Sequence, residues 1–305
     1  MTQTINNRSE ILFLYDVSWS NPNGDPVDEN KPRIDEETNR NIVTDVRLKR
    51  TVRDYLHDYR GLDIFIKEIR VDNKKLVTKE NRMEQFKNQN EEVIKQCIDI
   101  RLFGATIAIK DFTLALTGPV QFKFGKSLHR IVPAFVKGTT VMPSGEDRTQ
   151  GTFTERYVLP YSLIAFYGVV NEKAAQNQGY SLATDQDIQL LLEALWNGTK
   201  NLISVSKAGH QPRMLVWIQY QPDKYHIGEL DNMIQFVHEK RDEEIRSINE
   251  GTIEINQLVQ ALQKRKNEIH TFGYQVDEQT KLTMNGENTT FPELFSDYPL
   301  KPFHF

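Results

Sequence analysis

An apolar run, Ile11-Leu12-Phe13-Leu14-Tyr15, ends in a turn-forming loop, Asn21-Pro22-Asn23-Gly24-Asp25-Pro26, and a basic helix opens near Thr44. A chain built this way must bury a strand, break it sharply and return as a helix against the same sheet. Thr44 is a suitable N-cap, the helix runs to about Tyr59, and Gly61 closes it. Leu48, Val52, Tyr55 and Tyr59 form its apolar stripe, flanked by Lys49 and Arg53 one turn apart. Such a unit can hold a phosphate backbone or a divalent metal, or its loop can be a plain turn.

The later segments narrow the fold. Residues 62–71 read as a strand, and 72–100 as a polar, mostly helical insertion broken by Arg101-Leu102-Phe103-Gly104-Ala105. Residues 111–124 read as a strand bent at Gly118-Pro119, and 157–170 as a second long strand. Thr184 can cap a helix with the stripe Ile188, Leu191, Leu192 and Leu195, and Met214 to Ile218 is a short buried strand. Stripped of insertions, the order is strand, helix, strand, strand, helix, strand. That is an α+β class, the ferredoxin-like split βαβ arrangement. RNA-recognition modules share it and lay single strands on the open sheet face. Residues 221–305 are a charged extension, with short strands at 253–255 and 272–276 around a helix at 256–267. The whole reads as one elaborated domain.

Charge says more by position than by sum. The 305 residues carry 38 basic and 42 acidic side chains, a net charge of −4, which argues against a generally basic protein. Yet residues 40–53 hold Arg40, Arg47, Lys49, Arg50 and Arg53 against Asp45 alone. Residues 119–138 (Lys123, Lys126, Arg130, Lys137) and 200–213 (Lys200, Lys207, Arg213) hold no acid. Together they suggest one composite surface for a polyanion.

Catalytic patterns are sparse. Phosphate-loop and nucleophile-elbow motifs are missing, the seven histidines form no His-x-x-x-His pair, and His57-Asp58 reads as a surface pair. The single cysteine, Cys97, lies in an apolar segment and reads as core, which leaves no disulfide framework. Asp16, Asp25, Asp28 and Glu29 could gather a magnesium ion, but Asp25 between Gly24 and Pro26 is also what a turn uses. We expect no metal, no cofactor and no enzyme activity. No apolar run reaches the roughly 20 residues of a membrane helix, and the polar N-terminus has no signal-peptide core. The expected location is cytoplasmic.

Binding accounts for more of the pattern. Asn21 and Asn23 offer uncharged donors and acceptors, and the helix N-terminus at Thr44 favours an anion. Arg47, Lys49 and Arg53 supply charge on the helix, and Ser127, His129 and Arg130 repeat the theme on a later strand. The excursion 138–156 carries Met142 and Phe153 in polar surroundings, as a wedge between bases or a hook for a neighbour would.

The loop and helix motifs, Tyr15-Asp16-Val17, Asn21 to Pro26, Pro32-Arg33-Ile34-Asp35 and Val43 to Arg50, resemble the repeated backbone subunit of type I CRISPR-Cas interference complexes (Cascade), most closely type I-B. So do Asp99 to Ala105, Gly118 to Phe122, Ser127 to Arg130, Gly151-Thr152-Phe153 and Leu159-Pro160-Tyr161. The resemblance implies a modified RNA-recognition-motif palm (about 9–60, 106–137 and 157–220), a helical finger (62–105), a thumb hairpin (138–157) and a C-terminal extension (221–305). It implies a non-catalytic subunit that stacks head to tail with copies of itself along a CRISPR RNA, beside other Cascade subunits. The bases stay free to pair with a target DNA strand. Lys49 and Arg53 would be palm contacts, Asn21 and Asn23 loop contacts, and Met142 and Phe153 thumb contacts. Related type III subunits cut target RNA with a loop aspartate, which makes Asp25 the catalytic candidate of the alternative reading.

Overall fold

The computed structural model describes residues 4–71, 75–109, 112–139 and 153–305. Its main elements are β1 (Ser9–Ser20), α1 (Asp45–Asp58), β2 (Phe153–Val170), α2 (Asp185–Lys200), β3 (His210–Tyr220), α3 (Asn256–Lys264) and β4 (Ile269–Val276). β1 is central: Phe13 sits opposite Phe166 of β2 on one side and Leu215 of β3 on the other, both antiparallel. Beyond β2 the sheet continues through Val120–Phe122 and Gly125–Ser127, and beyond β3 through β4. The result is a mixed α+β chain around one large sheet.

Side-chain alternation explains the layers. Ile11, Phe13, Tyr15 and Val17 point to one face, where Leu48, Val52 and Leu56 of α1 and Leu191, Leu192 and Leu195 of α2 cover them. Leu12 and Leu14 point to the other, with Leu163, Met214 and Val216. Leu258, Val259 and Leu262 of α3, with Phe291 and Phe295, close that second face. The face opposite α1 and α2 is therefore covered by the C-terminal extension, because the sheet residues there are too apolar to meet water.

Several boundaries follow the sequence. Thr44 caps α1, its hydroxyl accepting from the Arg47 amide at 3.3 Å, and Thr184 caps α2 in a reciprocal capping box with Asp187. Tyr59 departs from its stripe: it lies 56% exposed and stacks on Tyr55. Residues 62–71 are not a strand, apart from an Asp63 bridge and a two-residue piece at Arg70–Val71. Buried Ile64 and Phe65 anchor this segment. The Phe65 and Ile66 amides donate to the Asp99 carboxylate at 2.8 and 3.1 Å, so a side chain replaces the strand ladder. The insertion holds helices at Lys79–Glu84, Asn90–Gln96 and Ile98–Phe103, then a hairpin of Gly104–Ile109 with Phe112–Thr117. Gly104 makes the helix-to-strand turn at φ +69°, where a Cβ would lie 2.2 Å from the Leu116 carbonyl oxygen. The loop 24–43 carries short paired strands at Gly24–Asp25 with Lys31–Pro32, and at Ile34–Asp35 with Arg40–Val43. The later excursion has a paired stem, Ala134–Thr139 against the start of β2; Met142 lies outside the described residues. No helix among the described residues is long and apolar enough to cross a membrane.

One buried carboxylate joins β1 to the extension. Glu10, wholly buried, accepts from the Tyr167 hydroxyl (2.6 Å), the Tyr220 hydroxyl, and the Ile227 (2.9 Å) and Gly228 (2.7 Å) amides. Glu10→Ala strands two buried hydroxyls and two part-buried amides, so urea unfolding should show a loss of at least about 3 kcal/mol. A loss below about 1 kcal/mol would mean that the carboxylate does not hold the extension.

Candidate nucleic-acid interface

Where β1 ends, four segments converge. The Lys207 ammonium donates to the carbonyls of Asn21 and Pro22, the latter at 2.8 Å, so it grips the loop from outside. The turn carrying it lies flush on the strand: the Ser18 amide donates to the Gly209 carbonyl at 3.0 Å, and the Asn21 amide to the Ser206 carbonyl at 3.0 Å. A Cβ at Gly209 would lie 2.0 Å from the Ser18 carbonyl oxygen, so only glycine permits this approach. From inside, Asn23 Oδ1 accepts from the Thr44 amide and hydroxyl, both at 2.9 Å. The loop is thus tied to the 204–210 turn and to the first turn of α1.

Two clefts meet at Lys207. One, about 400 Å³, is lined by Arg47, Arg50, Asp54, Asn201 and Ser204 besides Lys207. The other, about 800 Å³, runs past Trp19, Asn21, Arg156, Tyr157 and Val205 to the stem that Ala134–Thr139 forms with the start of β2. Arg47 and Lys207 have no carboxylate partner among the described residues, whereas Arg50, Arg53, Arg101 and Arg213 do. Burial, with Arg47 nearby, pushes the Lys207 ammonium down to about 7, and burial also lowers Arg47. Two partly desolvated cations without a carboxylate partner are poised for an anion. Buried Asn21 adds a lone acceptor: its Nδ2 donates to the Asn30 carbonyl at 2.6 Å, while Oδ1 has no partner among the described residues. Trp19 is 59% exposed with φ +46°, a left-handed backbone uncommon outside glycine, and presents its indole to the second cleft.

Other predicted contacts lie elsewhere. Lys49 faces away from that junction, paired with Asp45 at 2.9 Å, bonded to Gln121 at 3.3 Å, and over the Phe103 ring. Arg53 donates at 2.9 Å to Asp99, which is wholly buried and already accepts the Phe65 and Ile66 amides. Ser127 and His129 are buried: the Ser127 hydroxyl donates to the His129 carbonyl at 2.6 Å, and His129 Nε2 accepts the Leu163 amide. Burial pushes His129 down to about 4, so it is neutral at physiological pH. Arg130 is exposed, its amide held by Asp242 at 2.7 Å. Phe153 opens β2, its backbone paired with Thr139.

Comparison with known proteins shows the family of the chain. The family model for "CRISPR-associated protein Cas7" matches residues 7–256. The chain belongs to the Cas7 family. A curated Cas7 of Haloferax volcanii is 32% identical over 320 aligned positions, covering 95% of this chain and 93% of the relative. Two solved chains share the fold. One, from a "CRISPR RNA-guided surveillance complex, pre-nicking", has a TM-score of 0.56 at 13% identity, covering 95% of this chain and 98% of its own. The other, from a "CRISPR RNA-guided surveillance complex", has a TM-score of 0.55 at 16% identity, covering 95% and 97%.

The carboxylates of the Cas7 loop do not converge. Asp25 accepts from Arg33 at 2.6 Å and from the Val27 amide at 3.0 Å, which is a turn with an ion pair. Asp28 pairs with Lys31, and Asp16 is buried against Arg213 and the Tyr161 hydroxyl. No group of three potential metal ligands occurs among the described residues. Cys97 is buried, and burial pushes its thiol up to about 12, as befits core. His57 and Asp58 form an exposed pair. Sequence reasoning missed Lys207 and Trp19 as site residues. The signals were there: Lys207 lies in an acid-free run, and Trp19 is a lone aromatic at a strand end just before a loop.

Arg53 is set for structure. Arg53→Ala leaves the buried Asp99 carboxylate without its charge partner and should cost about 3–5 kcal/mol in urea unfolding. The exposed Arg50–Asp54 pair, cut by Arg50→Ala, should shift stability by no more than about 0.5 kcal/mol. Equal effects would remove the distinction between the two faces of α1.

Proposed function

We propose that this Cas7-family chain is a backbone subunit of a type I, I-B-like CRISPR RNA-guided complex, and that it holds the guide in the two clefts joined at Lys207. The observation that carries the reading is the pair Arg47 and Lys207, cations without a carboxylate at the meeting point of grooves running from α1 to the thumb-side stem. Phosphates would lie on this pair and release counterions. Trp19 offers a stacking plane beside the pair. None of these groups reads base identity, which suits a subunit that leaves the bases to pair with a target DNA strand.

The finer architecture is part of the same proposal. The sheet and its two helices serve as the ferredoxin-like, modified RNA-recognition palm, residues 62–105 as the finger and 138–157 as the thumb. With one sheet face filled by the extension, the guide lies along the strand ends and α1 instead. Copies stack head to tail into an open helix along the RNA, beside other Cascade subunits, since heterologous contacts that do not close make filaments. The subunit acts as a non-catalytic holder; the engagement of Asp25 with Arg33 supports that over cleavage. Asn21, Asn23, Thr44 and Arg47 shape or face the groove. Met142 and Phe153 remain thumb candidates, Arg130 a peripheral contact, and Lys49 a contact only if it leaves Asp45.

Filter-binding titrations test the groove. Arg47→Ala with Lys207→Ala should weaken binding at least tenfold for unrelated spacer sequences and flatten the salt dependence. Unchanged affinity would place the guide elsewhere. A bound phosphate favours protonated Lys207, whose value of about 7 lies below the ordinary lysine range. The free protein loses this proton as pH rises through 7, so affinity should fall about tenfold between pH 6.5 and 8.5. Lys207→Arg should abolish that dependence, and its persistence there would exclude Lys207 as the titrating contact.

Assembly is separately testable. Protein mixed with CRISPR RNAs of increasing spacer length should give particles whose mass grows stepwise with RNA length. A single protein per RNA at every length would refute the filament.

A further inference from the structure

On the reading that the guide lies where the two clefts meet, we infer that His210 is a positioning residue: its imidazole fastens the 204–210 turn to the end of β1 and so holds Lys207 in place. His210 is 3% exposed, opens β3 and lies opposite Val17 of β1. Its ring stacks on Tyr15 of the same strand, with centroids 5.6 Å apart and planes tilted by 21°.

The ring proton makes the fastening. His210 Nδ1 lies 2.6 Å from the Lys207 carbonyl oxygen, and a carbonyl only accepts, so Nδ1 carries the hydrogen and donates it. Ser20 Oγ, 3.4 Å from the same nitrogen, spends its own hydrogen on the Ser206 carbonyl at 2.5 Å. The His210 amide also donates to the Lys207 carbonyl, at 3.1 Å, and the Asn21 amide donates to that of Ser206. Donors from two strands thus grip consecutive carbonyls of the turn. The Lys207 backbone is pinned there while its ammonium reaches the Asn21 and Pro22 carbonyls. A phenyl ring could stack on Tyr15 in the same way, but it would leave the Lys207 carbonyl without the side-chain donor.

Charge keeps the ring in this form. Burial first, then the Lys207 charge, with Arg47 adding to it, push the imidazole down to about 3, so His210 is neutral at physiological pH and does not titrate where Lys207 does. Beside Arg47, the clefts around Lys207 present Arg50 and Arg156 as cations and Tyr55, Tyr59 and Tyr157 as phenols. Their acids are engaged: Asp54 by Arg50, Asp58 by His57, Glu29 by Lys31 and Glu155 by Lys137. Lys207 owes its low proton affinity to burial and to Arg47, and both depend on where the turn sits. A turn that swings outward returns the ammonium to water, and its proton affinity rises toward that of an ordinary lysine.

Trace acetylation of the full-length protein without RNA, read by peptide mass spectrometry across pH, gives the midpoint at which Lys207 loses its proton, expected near 7. His210→Phe should raise that midpoint above about 8. His210→Asn, which keeps an N–H donor close to the Nδ1 position, should leave it near the parent value. Arg53→Ala, which destabilises the chain through Asp99 and not through the turn, should leave it there too. The Phe variant should also lose the roughly tenfold fall in guide affinity between about pH 6.5 and 8.5. A midpoint unmoved by His210→Phe, or moved as far by His210→Asn or Arg53→Ala, overturns the role. Nitrogen-15 NMR of the parent protein tests it without any variant: Nδ1 should carry the ring hydrogen at neutral pH, and a hydrogen on Nε2 alone refutes the fastening. If the midpoint moves while guide affinity does not respond, the hold of His210 on Lys207 stands and the guide lies elsewhere.

Discussion

Burial of β1 on both faces is the constraint on which the rest of the molecule depends. From Ser9 to Val17 no residue of the strand is exposed, so each face needs its own cover. α1 and α2 supply one, and the extension from residue 221 supplies the other. At roughly 1.5–3 kcal/mol per buried large apolar side chain, a bare second face would cost more than a domain of this size can spare. The polar residues within β1 fasten that cover: Glu10 receives the Ile227 and Gly228 amides, and Asp16 joins Arg213, which in turn holds Asp277. Burial pushes the Asp16 carboxyl up to about 6 despite Arg213, a measure of how dry the junction is. Cover and strand are therefore matched by specific polar contacts as well as by apolar area.

That constraint moves the candidate guide site. A four-stranded sheet backed by two helices ordinarily offers its free face to a single strand. Here that face is occupied, and the remaining places rich in free polar groups are the strand ends, where backbone turns away from the ladder. Ser18 to Asn23 is such an end, with Trp19 flipped outward and the Lys207 turn seated on it.

Much of the fold could be read from local patterns, because local forces set those parts. Thr44 and Thr184 cap helices through bonds within three residues, and the strands centred on Phe13, Phe166 and Val216 declare themselves by apolar content. What stayed hidden was set by distant partners. Residues 62–71 have strand composition, but Asp99, more than 30 positions away, takes the Phe65 and Ile66 amides. The same carboxylate takes Arg53, so a cation from an acid-poor stretch of sequence proves paired in space. Arg101 with Asp187 and Arg213 with Asp16 repeat the lesson. A run without acids predicts a basic surface only when no acid returns from another segment, and one-dimensional spacing carries no information about that.

The two cations at the junction of the clefts are held without a carboxylate for a physical reason. Lys207 spends its donors on the Asn21 and Pro22 carbonyls, which hold it in place without neutralising it. Arg47 bonds the Thr51 hydroxyl, again a neutral partner. Carbonyl and hydroxyl ligands fix the position of a charge and leave its field intact, whereas a carboxylate would cancel it. The lowered affinity of Lys207 for its proton is the cost of keeping two such charges close and half dry. An arriving phosphate would relieve that cost at both residues at once. It would meet them already positioned, because the loop they brace is held by Asn23 to the first turn of α1. The arrangement favours any phosphate of a backbone over any particular base, which is the selectivity a guide-holding subunit requires.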